Sequence, residues 1–234
     1  MYLVKFIAKH SDLSRRNSEK AIKYGKVTIN GKIIEDPSYI VSENDIIFLN
    51  KKKIIKKEKI YVLLNKPIGM ITSKSDPSER DTIIQLFPKH LQGILDPIGR
   101  LDYNSSGALI LTNDGDLAYK LSHPKFLVKK IYSIIVSRSL DEELIESLKK
   151  GVRLEDGFAK ADKIIWKNNS PDSLTIELHS GKYRVIRRMI EVFKIFVKKL
   201  HRISFAGINV KNLKKGEWRY LTEKEIDSLK KLNN

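Results

Sequence analysis

The order of apolar and polar positions divides the chain into a short helical start, a small β part, and a long alternation of strands and helices. LVKFIAKH at residues 3–10 reads as a short helix. Ser14 can cap a second helix through RRNSEKAIKY, which Gly25 ends. In VTINGKII, Asn30-Gly31 stands between two β-branched runs, the strongest short hairpin signal available, and DIIFLN supplies a further strand. From Tyr61 onward, YVLLNKPIGMITS reads as a strand entering a Pro-Gly turn and DPSERDTIIQLF as a helix. ILDPIGRLD reads as strand-like, ALILTN as an apolar strand and DGDLAYKLSH as a short helix. KKIYSIIVS is β-branched, SLDEELIESLKKG fits a helix capped by Ser139 and stopped by Gly151, and SLTIELH fits a strand. KYRVIRRMIEVF then reads as a helix, VKKLHRISFAGINV as a strand region, and TEKEIDSLKKL as a last helix opened by a Thr222/Glu225 capping box.

The pattern predicts an α+β chain. A helix-helix-hairpin unit at residues 1–50 precedes a larger domain at 60–234 built on a mixed, mainly antiparallel sheet. Between them KKKIIKKEK, residues 51–59, reads as a basic linker, because a run of like charges repels itself and does not pack. The 234 residues, 41% of them hydrophobic, suffice for a core in each part. No apolar run reaches the ~18 residues a membrane span needs, and Lys5 and Lys9 interrupt the start, so a cytoplasmic, monomeric protein is expected.

Charge changes the picture most. With 45 Lys+Arg against 28 Asp+Glu the formal charge is +17, a surplus that attracts polyanions, and nucleic acid is the leading partner. Lysine is also common in chains rich in Ile and Asn, so clustering matters more than the total. Arg15, Arg16, Lys20 and Lys23 gather cations on one face of the second helix. A second cluster lies in residues 181–204, with eight Lys+Arg and one acid.

Several chemistries drop out. Zero cysteines exclude disulfides and thiolate sites, and five scattered histidines lack the HExxH spacing of a zinc hydrolase, so no metal is expected. Neither GxxxxGK[ST], a GxGxxG opening a βαβ unit, nor GxSxG is present, and DGD at 114–116 is better read as a helix entry than a calcium loop. Carboxylate chemistry without a cofactor remains. Asp102 in IGRLDYNSSGALILTND could simply cap the amides of its turn. Tyr132 could be a core aromatic whose hydroxyl finds a partner. On the GKYRVIRRM helix, Val185, Ile186, Met189 and Ile190 form an apolar face. Arg184, Arg187, Arg188 and Glu191 share the other, which could be solvated or could serve phosphates.

These residues carry a resemblance. IGRLDYNSSGALILTNDGDLAYKLSHP, preceded by YVLLNKPIGM and followed by VKKIY and GKYRVIRRM, resembles the RsuA-type family of ribosomal RNA pseudouridine synthases. Residues 1–50, with the GKVTINGK turn, resemble the alpha-L RNA-binding domain shared with a small-subunit ribosomal protein. The resemblance implies site-specific isomerisation of uridine to pseudouridine in ribosomal RNA, without cofactor or metal. It implies Asp102 as nucleophile, Tyr132 against the target base, and Arg187 as the cation paired with Asp102, with Arg100 second choice. Arg100, Arg184, Arg188 and Lys130, with Arg15, Arg16 and Lys20 in the first domain, would hold RNA. Ser105, Ser180 and KIF at 194–196 depart from the common pattern. The alternative function is a non-catalytic RNA-binding or ribosome-assembly protein on the same fold.

Overall fold

In a computed structural model, residues 1–166 and 169–232 are described, and the chain divides into two units, Met1–Lys59 and Ile60–Asn234. In the first unit, α1 (Leu3–His10) buries Leu3, Phe6 and Ile7 at helical spacing. Ser14 accepts the Asn17 N–H and starts α2 (Arg15–Lys23), whose Ala21 and Ile22 are buried while Arg15, Arg16 and Lys20 face solvent. The hairpin of β1 (Val27–Ile29) and β2 (Lys32–Ile33) turns through Asn30 and Gly31, both left-handed, as a two-residue turn between twisted strands requires. β3 (Ile47–Leu49) and β4 (Lys52–Lys53) complete a sheet of order β2-β1-β3-β4.

The stretch 51–59 therefore differs from the linker expected. Lys52 and Lys53 pair with β3, Lys57 N–H donates to His10 Nδ1 at 3.0 Å, and Lys57 Nζ meets Asp12 at 2.8 Å. Like charges are tolerated here because Lys51, Lys52 and Lys53 are exposed to water while the backbone pairs.

In the second unit β5 (Tyr61–Lys66) and β7 (Ser106–Thr112) are buried at every position, which explains their near-continuous apolar sequences. Alternate residues serve two cores: Val62, Leu64, Leu109 and Leu111 lie in one, Tyr61, Leu63, Ala108 and Ile110 in the other. Each such leucine, fully buried, contributes ~1.5–3 kcal/mol relative to exposure. Between these strands lie a 3-10 turn at Ile83–Leu86, the single-turn helix α3 (Lys89–Gln92) and β6 (Asp96–Pro97). No helix spans 76–87 as expected. Asp76 accepts the Arg80 N–H and both ends of its guanidinium, stabilising a turn in which Glu79 is left-handed.

Asp114 caps α4 (Gly115–Ser122), and β8 (Lys130–Val136) follows. Next comes α5 (Glu142–Lys150), whose cap is Asp141 rather than Ser139, since the Asp141 carboxylate takes the Leu144 N–H. A hairpin that the sequence pattern did not reveal, β9 (Val152–Leu154) and β10 (Gly157–Ala159), precedes β11 (Lys163–Trp166) and β12 (Ser173–Leu178). Then come α6 (Val185–Glu191), β13 (Val197–Phe205), β14 (Ile208–Asn209), β15 (Trp218–Tyr220) and α7 (Glu223–Lys231), opened by the expected Thr222/Glu225 box.

The main sheet runs β11-β12-β8-β13-β7-β5-β15, with β14 on β13 and β6 on β7. Its pairings are antiparallel except β13 with β7. At that parallel contact Gly107 opposes Arg202 at φ 111°, and a Cβ there would fall 2.2 Å from the Arg202 carbonyl oxygen. Among the described residues no helix is long and apolar enough to cross a membrane.

Candidate active site

The turn that enters β7 is held from several sides. Thr72 Oγ1 donates to the Leu101 carbonyl at 2.7 Å and accepts its N–H at 3.2 Å. Ser105 N–H closes the turn on the Asp102 carbonyl at 3.0 Å, and Gly69 N–H reaches the Tyr103 carbonyl at 2.9 Å. Lys66, at the end of β5 and 0% exposed, donates through Nζ to the carbonyls of Pro67, Asp102 and Ser105 at 2.9, 3.2 and 3.0 Å. Among the described residues no backbone N–H of the turn bonds the Asp102 carboxylate, so the capping role open to that residue is not the one it fills. Among the described residues the cation within 4 Å of the carboxylate is Arg184, with Nη1 3.8 Å from Oδ2.

Asp102 opens onto a cavity of about 300 Å³, at the small end of the range for ligand sites. Arg100, Lys130, Tyr132, Arg184 and Arg202 line it with Asp102. Tyr132 lies on β8 beside Arg202 of β13 in the sheet register, with its side chain buried. Lys130 Nζ donates to the carbonyls of His179 and Ser180. Burial lowers its pKa to about 8, and the charge of Arg202 pushes the same way. Burial likewise lowers Lys66 to about 8, partly opposed by Asp102 and reinforced by Arg202. The cavity is thus a cationic recess with one carboxylate, Asp102, and three aromatic residues, Tyr132, Tyr183 and Phe205.

The sequence reading needs correction at two places. Arg187 does not pair directly with Asp102: its Nη1 donates to the Val197 carbonyl and its Nη2 to the Asn104 carbonyl, both at 2.9 Å. It is buried, whereas the helical pattern placed it on a polar face, and α6 starts only after a left-handed Arg184. Burial lowers the Arg187 pKa, with Arg184 adding repulsion and Asp102 opposing. Arg188 turns away from the cavity and binds the Asp156 carboxylate through two bonds at 2.9 and 3.0 Å. Arg15, Arg16 and Lys20 belong to the first unit, exposed on α2.

Lys66, Thr72 and Arg202 were missed as parts of the site. Arg202 is buried, donates through Nε to the Ala108 carbonyl at 2.6 Å and stacks over Phe205. The signal for Lys66 was its place in YVLLNKP, a lysine ending an otherwise apolar strand, where only a partnered ammonium can be buried. Among the described residues no group of three His, Asp or Glu is placed to hold a metal ion.

Residues 60–192, more than half of the 234-residue chain, match the sequence model of the family described as RNA pseudouridylate synthase. The chain belongs to the RNA pseudouridylate synthase family. Residues 2–47 of this synthase match the S4 domain. Together with the two relatives that follow, this agrees with the RsuA-type resemblance. The "Ribosomal large subunit pseudouridine synthase B" of Bacillus subtilis (strain 168) is 38% identical over 234 residues, covering 98% of this chain and 96% of its own. The "Dual-specificity RNA pseudouridine synthase RluF" of Escherichia coli (strain K12) is 35% identical, with 98% of this chain and 78% of that protein covered. A solved structure titled "Crystal structure of pseudouridylate synthase" superposes with a TM-score of 0.70 at 29% identity, covering 98% of this chain and 99% of that one.

Proposed function

We propose that this synthase isomerises a uridine of large-subunit ribosomal RNA to pseudouridine, with Asp102 as nucleophile and no cofactor. The observation that carries the reading is the Asp102 carboxylate, left out of the hydrogen bonding of its own turn and standing at a cationic cavity with Arg184 at 3.8 Å. A carboxylate nucleophile acts in its charged form, and neighbouring cations are the groups that oppose the cost of taking that charge out of water. It attacks the sugar or the base, the N1–C1′ bond breaks, the uracil turns, C5 bonds to C1′, and the bond to Asp102 breaks to release the carboxylate. The proton leaves C5 and N1 gains one, so the reaction is balanced as an isomerisation.

Tyr132 supplies a flat face for the base and a hydroxyl to assist removal of the C5 proton. A stacked uridine has to be flipped out to reach the cavity, at a cost of a few kcal/mol. Contacts from Arg100, Lys130 and Arg184 to the flipped nucleotide and its phosphates offset that. The name of the Bacillus subtilis relative supports a large-subunit substrate, and the S4 match supports an RNA-binding role for the first unit.

The test is mapping of pseudouridine by carbodiimide adducts and primer extension on both unmodified ribosomal RNAs, treated with wild type or Asp102→Asn. A stop on large-subunit RNA with wild type alone is the expected result. An active Asn variant removes Asp102 from the mechanism.

A further inference from the structure

The β9–β10 hairpin holds out an aromatic ring that the interior does not use. Phe158 is 62% exposed, and Tyr183, itself one of the residues that line the catalytic cavity, is 71% exposed. Among the described residues neither ring stacks on another aromatic side chain. Both nevertheless stand on a fixed frame. Arg188 grips Asp156 at the hairpin tip through two bonds, and Lys182 Nζ donates to the Asp156 carbonyl at 2.8 Å and the Phe158 carbonyl at 3.4 Å. Gly151 lets the Phe158 ring lie against the backbone, since a Cβ there would fall 2.5 Å from the ring's Cζ.

The segment Lys182–Arg188 thus ties the hairpin at both its ends while Arg184 between them faces Asp102. The hairpin backbone that carries Phe158 is tied down without any ligand, so the entropy cost of fixing it on binding is small. Arg153 pairs with Phe158 in the hairpin register, Lys160 follows two residues after Phe158, and Lys182 precedes Tyr183 in the chain. Asp156 is matched by Arg188, which leaves Glu155 as the remaining acid of the hairpin. Exposed rings among cations fit unpaired nucleobases and their phosphates, since every base has a face to stack.

We propose that Phe158 and Tyr183 form a stacking platform for the unpaired bases flanking the target uridine. The proposal rests on the reading of Asp102 above and adds to it the part of the catalytic unit that grips neighbouring nucleotides. The probe is unmodified large-subunit ribosomal RNA, with turnover measured for the full chain. Phe158→Ala and Tyr183→Ala raise KM about tenfold, in the range for one lost stacked base, and leave kcat within about twofold. Phe158→Trp and Tyr183→Phe keep the wild-type KM. Phe158→Leu, which fills the same space without a flat face, behaves like Phe158→Ala.

In a fragment spanning the modified uridine, 2-aminopurine beside the target is quenched by wild type and stays bright with both alanine variants. Alanine variants at wild-type KM, or rescue by Phe158→Leu, overturn the platform alone. A wild-type protein that modifies no uridine overturns the reading of Asp102 and the platform with it.

Discussion

Arg184 Nη1 stands 3.8 Å from Asp102 Oδ2, while Arg187, three residues on, gives its guanidinium to the carbonyls of Asn104 and Val197. Two arginines of one short motif therefore do different work. Arg184 is partly open to solvent and acts on the carboxylate; Arg187 is buried and braces the polypeptide just after Asp102.

The two roles separate by measurement. A pair at this distance is worth ~4 kcal/mol at an effective dielectric constant of about 20, and less where water screens it. Arg184→Gln is expected to lower kcat by about tenfold or more with the urea midpoint unchanged. Arg187→Gln breaks two charge-assisted bonds to buried carbonyls and is expected to cost ~3 kcal/mol of stability. A variant of Arg187 with native stability would show that the carbonyl contacts contribute little.

Gly107 tests the sheet. Its φ of 111° disfavours any side chain, and a Cβ would meet the Arg202 backbone at 2.2 Å. That carbonyl cannot swing aside without breaking the β13–β7 pairing, so Gly107→Ala is expected to destabilise the second unit by more than ~3 kcal/mol. Thermal unfolding followed by circular dichroism reads this directly, and a melting curve like that of wild type would refute it.

What could be read from the sequence, and what could not, follows from range. β7 was evident because a strand covered on both faces writes itself as ALILTN, and the first hairpin because Asn-Gly supplies the two left-handed residues it needs. Asp102 and Tyr132 stood out through the motif resemblance, and the structure brings both to one cavity. Arg187 was misplaced because helical periodicity assigns an arginine to the solvent side. Its true partners are carbonyls at Asn104 and Val197, which no local pattern announces. The same holds for Arg202, whose acceptor lies on β7, and for the β9–β10 hairpin, whose anchors come from the Lys182–Arg188 segment. Residues 76–87 failed for a local reason: Asp76 holds Arg80 in a turn, a competitor that composition alone does not rank against a helix.

Lys66 makes the folded state sensitive to alkaline pH. Burial lowers its pKa from 10.5 to about 8, which corresponds to ~3 kcal/mol against the charged form. Below pH 8 the lysine is protonated both folded and unfolded, and the full penalty acts. Between pH 8 and 10.5 the unfolded chain binds more protons than the folded one, so this contribution to stability rises with pH. Lys66→Met removes the titration. The difference in unfolding free energy between wild type and Lys66→Met is therefore expected to shift toward wild type across that interval, in urea titrations at pH 7.5, 9 and 10.5. A constant difference would mean that Lys66 titrates as an exposed lysine does.

The last expectation concerns the first unit, where Arg15, Arg16 and Lys20 lie exposed on α2 beneath no described ion pair. If these cations contact RNA phosphates, replacing all three by alanine removes about three counterion-releasing contacts. The slope of log affinity against log salt then falls by about 2, and affinity near physiological salt drops at least tenfold. The chemistry belongs to the second unit, so kcat at saturating RNA is expected to stay within about twofold of wild type while KM rises. Helix α2 keeps its Ser14 cap and its buried Ala21 and Ile22, so alanine at three solvent-facing positions leaves the fold intact. Filter binding over a salt series decides the matter. An unchanged slope would locate the phosphate contacts elsewhere on the chain, and a fall in kcat would mean that the first unit helps to set the geometry at Asp102.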